Sequence, residues 1–180
     1  MRHCRRQLVP VLALAILAAP AVAGWSESIP RLSARTLSGG TVVLPDDLAA
    51  GVTILVVGFT RKAGDNTRPW VERLRRDFTP AEGFTVYSVA VIAGVPALFR
   101  PLAAGAIRGS VPPADRATFL IADQDESAWR LLAGYQAPDT PYIVAMDKSG
   151  AVLARAGGPY DEETYAEAAA RIRSGAAQKE

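Results

Sequence analysis

The 180-residue chain is poor in the side chains that most protein chemistry uses. It has a single cysteine, Cys4, and a single histidine, His3. Both fall in an N-terminal segment with the marks of a secretory leader. Arg2, Arg5 and Arg6 form a positive start, Leu8 to Pro20 an apolar core, and Ala21-Val22-Ala23 a small-residue cleavage site. Removing residues 1–23 would leave a chain without thiol or imidazole. That excludes disulfide exchange, which needs a thiolate, and soft-metal sites, which want Cys, His or Met. It also excludes nucleophilic hydrolysis by Ser88 or Ser127, since neither would have a histidine base. The apolar run is shorter than the roughly 20 residues of a spanning helix, and no second run approaches that length. Cys4 precedes the apolar run, so it is no lipid acceptor. The expected location is the periplasm, with a retained N-terminal anchor as the alternative.

A large excess of one charge is also missing. The formal net charge is +2 for the whole sequence, but from Gly24 onward there are 17 basic and 18 acidic residues, a net of −1. Binding to a nucleic-acid polymer is not implied. No metal site is expected: Asp123 and Asp125 resemble the start of a calcium loop, but the Gly at its sixth position and the Glu at its twelfth are absent. They read instead as a helix cap. Asp161-Glu162-Glu163 suits the first turn of a helix, and Gly157-Gly158-Pro159 a turn, since no Lys-Ser/Thr follows it. No cofactor is implied.

Hydrophobic residues make up 49% of the chain, enough for one packed domain. Leu32–Leu37 and Thr41–Leu44, divided by Ser38-Gly39-Gly40, read as a β-hairpin. Thr53–Phe59 and Phe84–Ile92 are β-branched apolar runs typical of strands buried on both faces. Between them Trp70, Val71, Leu74 and Phe78 recur at helical spacing, predicting an amphipathic helix over Arg68–Phe78 capped by Asp65, Asn66 or Thr67. Strand, helix, strand in this order implies a parallel crossover. Pro96–Ile107 has helical character, Ala117–Ala122 reads as a further strand, and Glu126–Leu132 as a short helix. Tyr142–Met146 and Ala151–Ala156 flank Asp147-Lys148-Ser149-Gly150 as a second hairpin. A final helix runs to Arg173, and residues 174–180 read as a flexible tail. Met146, Trp70, Trp129 and Tyr135 read as packing residues.

This order of elements, with Thr140-Pro141 just before a strand, resembles the thioredoxin-like superfamily, whose cis-proline segment stands there. The resemblance covers most of residues 29–173. It implies an α/β fold over residues 24–173: a central mixed sheet with flanking helices and an N-terminal hairpin. The run Thr53–Leu74 looks like the strand, active-site loop and first helix of periplasmic thiol-disulfide oxidoreductases. Laid on that pattern, Gly64 and Thr67 stand where the CxxC cysteines would be, followed by Arg68, so the pattern is kept and the redox chemistry is lost. Tyr87–Ile92, the helix ending Ala106-Ile107-Arg108-Gly109 and Pro112-Pro113-Ala114-Asp115-Arg116 also look like a cysteine-poor thioredoxin-fold group. That group includes a mitochondrial ATP-synthase assembly factor.

What remains is binding. Ligands of open α/β sheets sit at the carboxyl ends of the strands. Arg61, Lys62, Thr67 and Arg68 are expected there with Asn66, joined by Arg100 and Arg108 from the next connection. Asp65 and Asp139 are available to neutralise part of that charge. A cis Pro141 would expose the backbone of Thr140 for pairing with extended peptide. The expected function is therefore binding of an envelope protein or peptide, as an assembly factor or chaperone. The alternative is a small anion or lipid headgroup held by the same basic edge. An enzyme using only carboxylates and arginine finds no support in the residue pattern.

Overall fold

A computed structural model describes residues 29–48 and 51–178. The segment 1–23 read as a leader, with His3 and Cys4, lies outside them. The sheet begins from its most apolar segment, β3 (Val52–Gly58), in which Thr53–Gly58 are all buried. On one side it pairs in parallel with β4 (Phe84–Val91), Ile54 opposite Val86. On the other it pairs antiparallel with β6 (Tyr142–Asp147), Ile54 opposite Ala145. β5 (Phe119–Ala122) continues the parallel part beside β4. The hairpin β1 (Leu32–Thr36) and β2 (Thr41–Leu44) closes one edge, and β7 (Val152–Gly157) the other. The resulting seven-stranded mixed sheet has the order β2-β1-β5-β4-β3-β6-β7.

Successive side chains of a strand point to opposite faces, so β3 feeds two cores. Ile54 and Val56 join Trp70, Leu74 and Phe78 of the first helix segment and Tyr165 and Ile172 of the last. Leu55 and Val57 join Trp129, Leu132, Val144 and Met146. Helices α1 (Arg61–Asp77) and α4 (Glu162–Ala177) thus cover one face, while α3 (Glu126–Ala133) covers the other. A third cluster of Leu37, Ile92, Val111 and Ile121 lies beside α2 (Arg100–Ser110).

Several element ends and caps differ from expectation, the helix expected over Pro96–Ile107 among them, which runs Arg100–Ser110. α1 starts at Arg61, not Arg68, because Thr60 is the cap: in extended conformation, its Oγ1 accepts the Ala63 N–H at 3.0 Å. Asp65, Asn66 and Thr67 are therefore inside the helix. Pro69 is interior too, and lacks the N–H that the Asp65 carbonyl would otherwise receive. α4 runs to Ala177, four residues past Arg173, because its last turn lies on β7; a Cβ on Gly175 would meet Leu153 O at 2.9 Å. Asp125 does precede α3, but at φ 52 its side chain makes no capping bond, and Asp123 instead accepts from Arg35 at 2.6 Å.

Polar bonds lock α1 to α4. Tyr165 Oη donates to Asp77 Oδ2 at 2.7 Å and Arg73 Nε donates to the same oxygen at 3.0 Å. The Tyr165 hydroxyl, then Arg73, hold the Asp77 carboxyl below the usual carboxylate range. Burial, with the Asp77 charge added, pushes the Tyr165 phenol well up. Trp70 Nε1 donates to Gly158 O at 3.2 Å, closing the same seam from the β7 side.

Candidate functional site: the carboxyl edge of the sheet

β3 ends at Gly58, and Phe59-Thr60 carry the chain over the sheet edge into α1. This corner is built against the segment that enters β6. Thr60 Oγ1 donates to Asp139 Oδ1 at 2.8 Å, with Pro138 O a second acceptor at 3.3 Å. Lys62 Nζ stands 3.4 Å from Asp139 Oδ2, and Asn66 Nδ2 donates to Asp139 O at 3.3 Å. The Thr60 hydrogen bond, helped by Lys62, holds the Asp139 carboxyl below its usual range. A helix N-terminus attracts an anion. Here the anion beside the first turn is the chain's own Asp139.

The expected basic edge is accordingly reduced. Arg68 pairs with Glu72 at 2.9 Å along the exposed helix face. Thr67 is 8% exposed, and its Oγ1 donates to Gly64 O at 2.7 Å, a bond within the helix. Arg100 is fully occupied: Nε donates to Val95 O at 2.8 Å, Nη1 to Asp123 O at 2.9 Å and Nη2 to Ala93 O at 2.7 Å. It is a clamp tying the start of α2 to the ends of β4 and β5. Arg61, exposed in the first turn, is the cation at this edge that has no partner among the described residues.

Gly64 and Thr67 also change meaning once α1 begins at Arg61. Gly64 is exposed on the first turn, whereas Thr67 is buried a turn further in. The pair at the same spacing that brackets the exposed first turn is Arg61 and Gly64. Among the described residues the cis peptide bond is Leu44–Pro45, so Thr140–Pro141 is trans, unlike the cis-proline segment it resembles. Pro141 is buried and its carbonyl accepts Gly158 N at 3.1 Å. Thr140 is half-buried, and its own N–H and C=O find no partner among the described residues.

Arg108 does not belong to this edge. It lies in the last turn of α2 and lines a cleft with Arg35, Leu37 and Gly39 of the β1–β2 hairpin. That hairpin turn is beside Phe119, the amino end of β5, where Leu37 N donates to Phe119 O at 3.0 Å. The expected constellation is thus two separate places, the α1 corner and the cleft between α2 and the β1–β2 hairpin.

A feature that residue spacing did not single out is apolar. Leu98 is 84% exposed, Phe99 54% and Leu102 74%, and α2 has no buried residue. They sit where the chain leaves β4, held in place by the Arg100 clamp. The legible signal was the stretch Gly94–Ser110, apolar and free of acidic residues. Among the described residues no cluster of His, Cys, Asp and Glu could hold a metal ion, and no helix is long and apolar enough to cross a membrane.

A mixed sheet of this order with helices on both faces is a thioredoxin-like fold. The chain is similar to a putative thiol:disulfide interchange protein DsbE from Chlorobium tepidum, with 18% identity over 83% of this chain and 96% of that one, at a TM-score of 0.59. It is similar to BsSco, a member of the Sco family of cytochrome c oxidase assembly proteins, with 13% identity over 85% and 95% of the two chains and a TM-score of 0.55. A third similar structure is the exposed lipoprotein thioredoxin of Streptococcus pneumoniae, with 11% identity over 77% and 96% and a TM-score of 0.54. At these identities the likeness is one of fold. No family model matches the sequence, and no curated protein does.

Proposed function

We propose that the chain is an exported, non-redox binding protein of the cell envelope that holds a protein or extended peptide, as an assembly factor or chaperone does. The observation that carries this reading is the Leu98, Phe99 and Leu102 patch at the carboxyl end of β4. Contiguous exposed apolar groups on a soluble domain mark an interaction surface. Arg61 and the open backbone of Thr140 lie along the same edge of the sheet, adding a charge and a main-chain pairing position for extended peptide. The absence of cysteine from Arg5 onward removes disulfide exchange from the roles this fold performs. BsSco, of similar fold, is named for a family of assembly proteins, and the resemblance to the ATP-synthase assembly factor group points the same way. The small-anion or lipid-headgroup alternative is the weaker one, because Asp139 and Glu72 already take up Lys62 and Arg68.

The test is site-specific photo-crosslinking in cells, with the reactive side chain placed at Phe99 and, as a control, at Glu167 on the far side of α4. The reading expects one discrete adduct from position 99 that disappears in Leu98→Ser/Leu102→Ser. Equal adducts from both positions, or none from 99, would overturn it.

A further inference from the structure

The cleft that holds Arg108 is separate from the Leu98–Leu102 patch and from the α1 corner, and its chemistry is of another kind. Its volume is about 250 Å³. Leu37 and Ile121, both from the third core cluster, make its floor. Gly39 and Gly105 form open walls, since a Cβ at either would meet nothing within 4 Å.

Two cations stand at this apolar floor, and only one is balanced. Arg35 Nη2 is taken by Asp123 at 2.6 Å. Arg108 lies where a basic side chain would ordinarily turn back to cap its helix. That role is filled by Arg116, whose Nη2 donates to Arg108 O at 3.0 Å and whose Nε donates to Val111 O at 3.3 Å. Ser110 Oγ covers Ile107 O at 2.8 Å. The Arg108 guanidinium is left without a partner among the described residues.

We propose that this cleft is a binding site for a carboxylate carried on a short apolar body. The carboxylate accepts two parallel N–H bonds from Arg108, the geometry a guanidinium is built for. The apolar body rests on Leu37 and Ile121, where a bare inorganic anion would leave the floor unused. The volume fits a branched group about the size of a leucine side chain plus its carboxylate. Such chemistry comes either as a free short-chain acid or as the C-terminal residue of a polypeptide. The inference does not depend on the protein-binding surface above, and either can fail alone.

The test is an amide-resolved NMR titration of the ¹⁵N-labelled full chain with four probes: 4-methylvalerate, N-acetyl-Ala-Leu, its C-terminal amide, and inorganic phosphate. The expected result is saturable shifts of Gly39, Gly105 and Arg108 amides with one or both carboxylates. Binding of the dipeptide more tightly than the free acid assigns the polypeptide source, and the reverse order the free acid. Arg108→Ala should weaken binding by about tenfold or more, the usual worth of a charge-assisted pair. Gly105→Leu, which fills the cleft and leaves the Arg108 side chain in place, should abolish it. Arg61→Ala should change nothing. The proposal is overturned if neither carboxylate gives saturable shifts, if the amide or phosphate binds as well as the carboxylates, or if binding survives Arg108→Ala with the fold intact.

Discussion

Arg100→Ala is the substitution whose consequence follows most directly from the structure. Its guanidinium spends all three nitrogens on main-chain carbonyls, two in the loop leaving β4 and one at the end of β5. An orphaned buried acceptor costs about 1–3 kcal/mol. Arg100 is only half-buried, so water reaches part of what is exposed, and the total is about 2–3 kcal/mol rather than three full penalties. For a domain of this size that is a fall in Tm of roughly 5–10 °C. Arg100→Lys should recover little, because a single ammonium lacks the planar fork that reaches three acceptors. Urea unfolding followed by tryptophan fluorescence measures the loss, with the denaturant slope unchanged if the fold is intact. Hydrogen exchange should quicken at Val95 and Phe99 and stay slow in β3. A loss below about 0.5 kcal/mol, or full rescue by lysine, would refute the clamp. So would an unchanged exchange pattern around the Leu98–Leu102 patch.

Two other outcomes test the interior. Asp77 is held below its unfolded value of about 4 chiefly by Tyr165 and next by Arg73. A depressed carboxylate stabilises the folded state above its unfolded value and loses that contribution as pH falls through the folded one. Unfolding midpoints of the native chain should therefore drop more steeply below about pH 4 than those of Asp77→Asn, and parallel curves would exclude the contribution. Thr53 is 1% exposed in the middle of the sheet, and its hydroxyl has no protein partner. Thr53→Val should be neutral or stabilising by about 1 kcal/mol, and a clear destabilisation in thermal melts would show that the hydroxyl is used.

The sheet was legible because its strands obey simple period rules. Thr53–Phe59 and Phe84–Ile92 are predominantly apolar and β-branched, as strands covered on both faces are, and they form β3 and β4 within a residue at each end. Trp70, Val71 and Leu74 marked the buried side of α1 for the same reason. The start of α1 was not legible. Asp65-Asn66-Thr67 is a plausible cap by composition, and what selects Thr60 instead is a partner 79 residues away, Asp139. The far end of α4 was hidden likewise, since Ser174-Gly175 reads as a fraying end until it is laid on Leu153.

The candidate site divides along the same line. Residue types alone determined that the chain from Arg5 onward has no thiol or imidazole, so no residue there can carry out disulfide exchange, because that chemistry needs a specific atom wherever the backbone goes. They determined the α/β order too, since periodicity is local. Which cations stay free was decided only by tertiary contacts. Lys62 meets Asp139, Arg100 meets three carbonyls, and Arg116 relieves Arg108 of its helix end. A charge is a property of one residue, whereas its neutralisation depends on distances between residues far apart in the chain, and those exist only after folding.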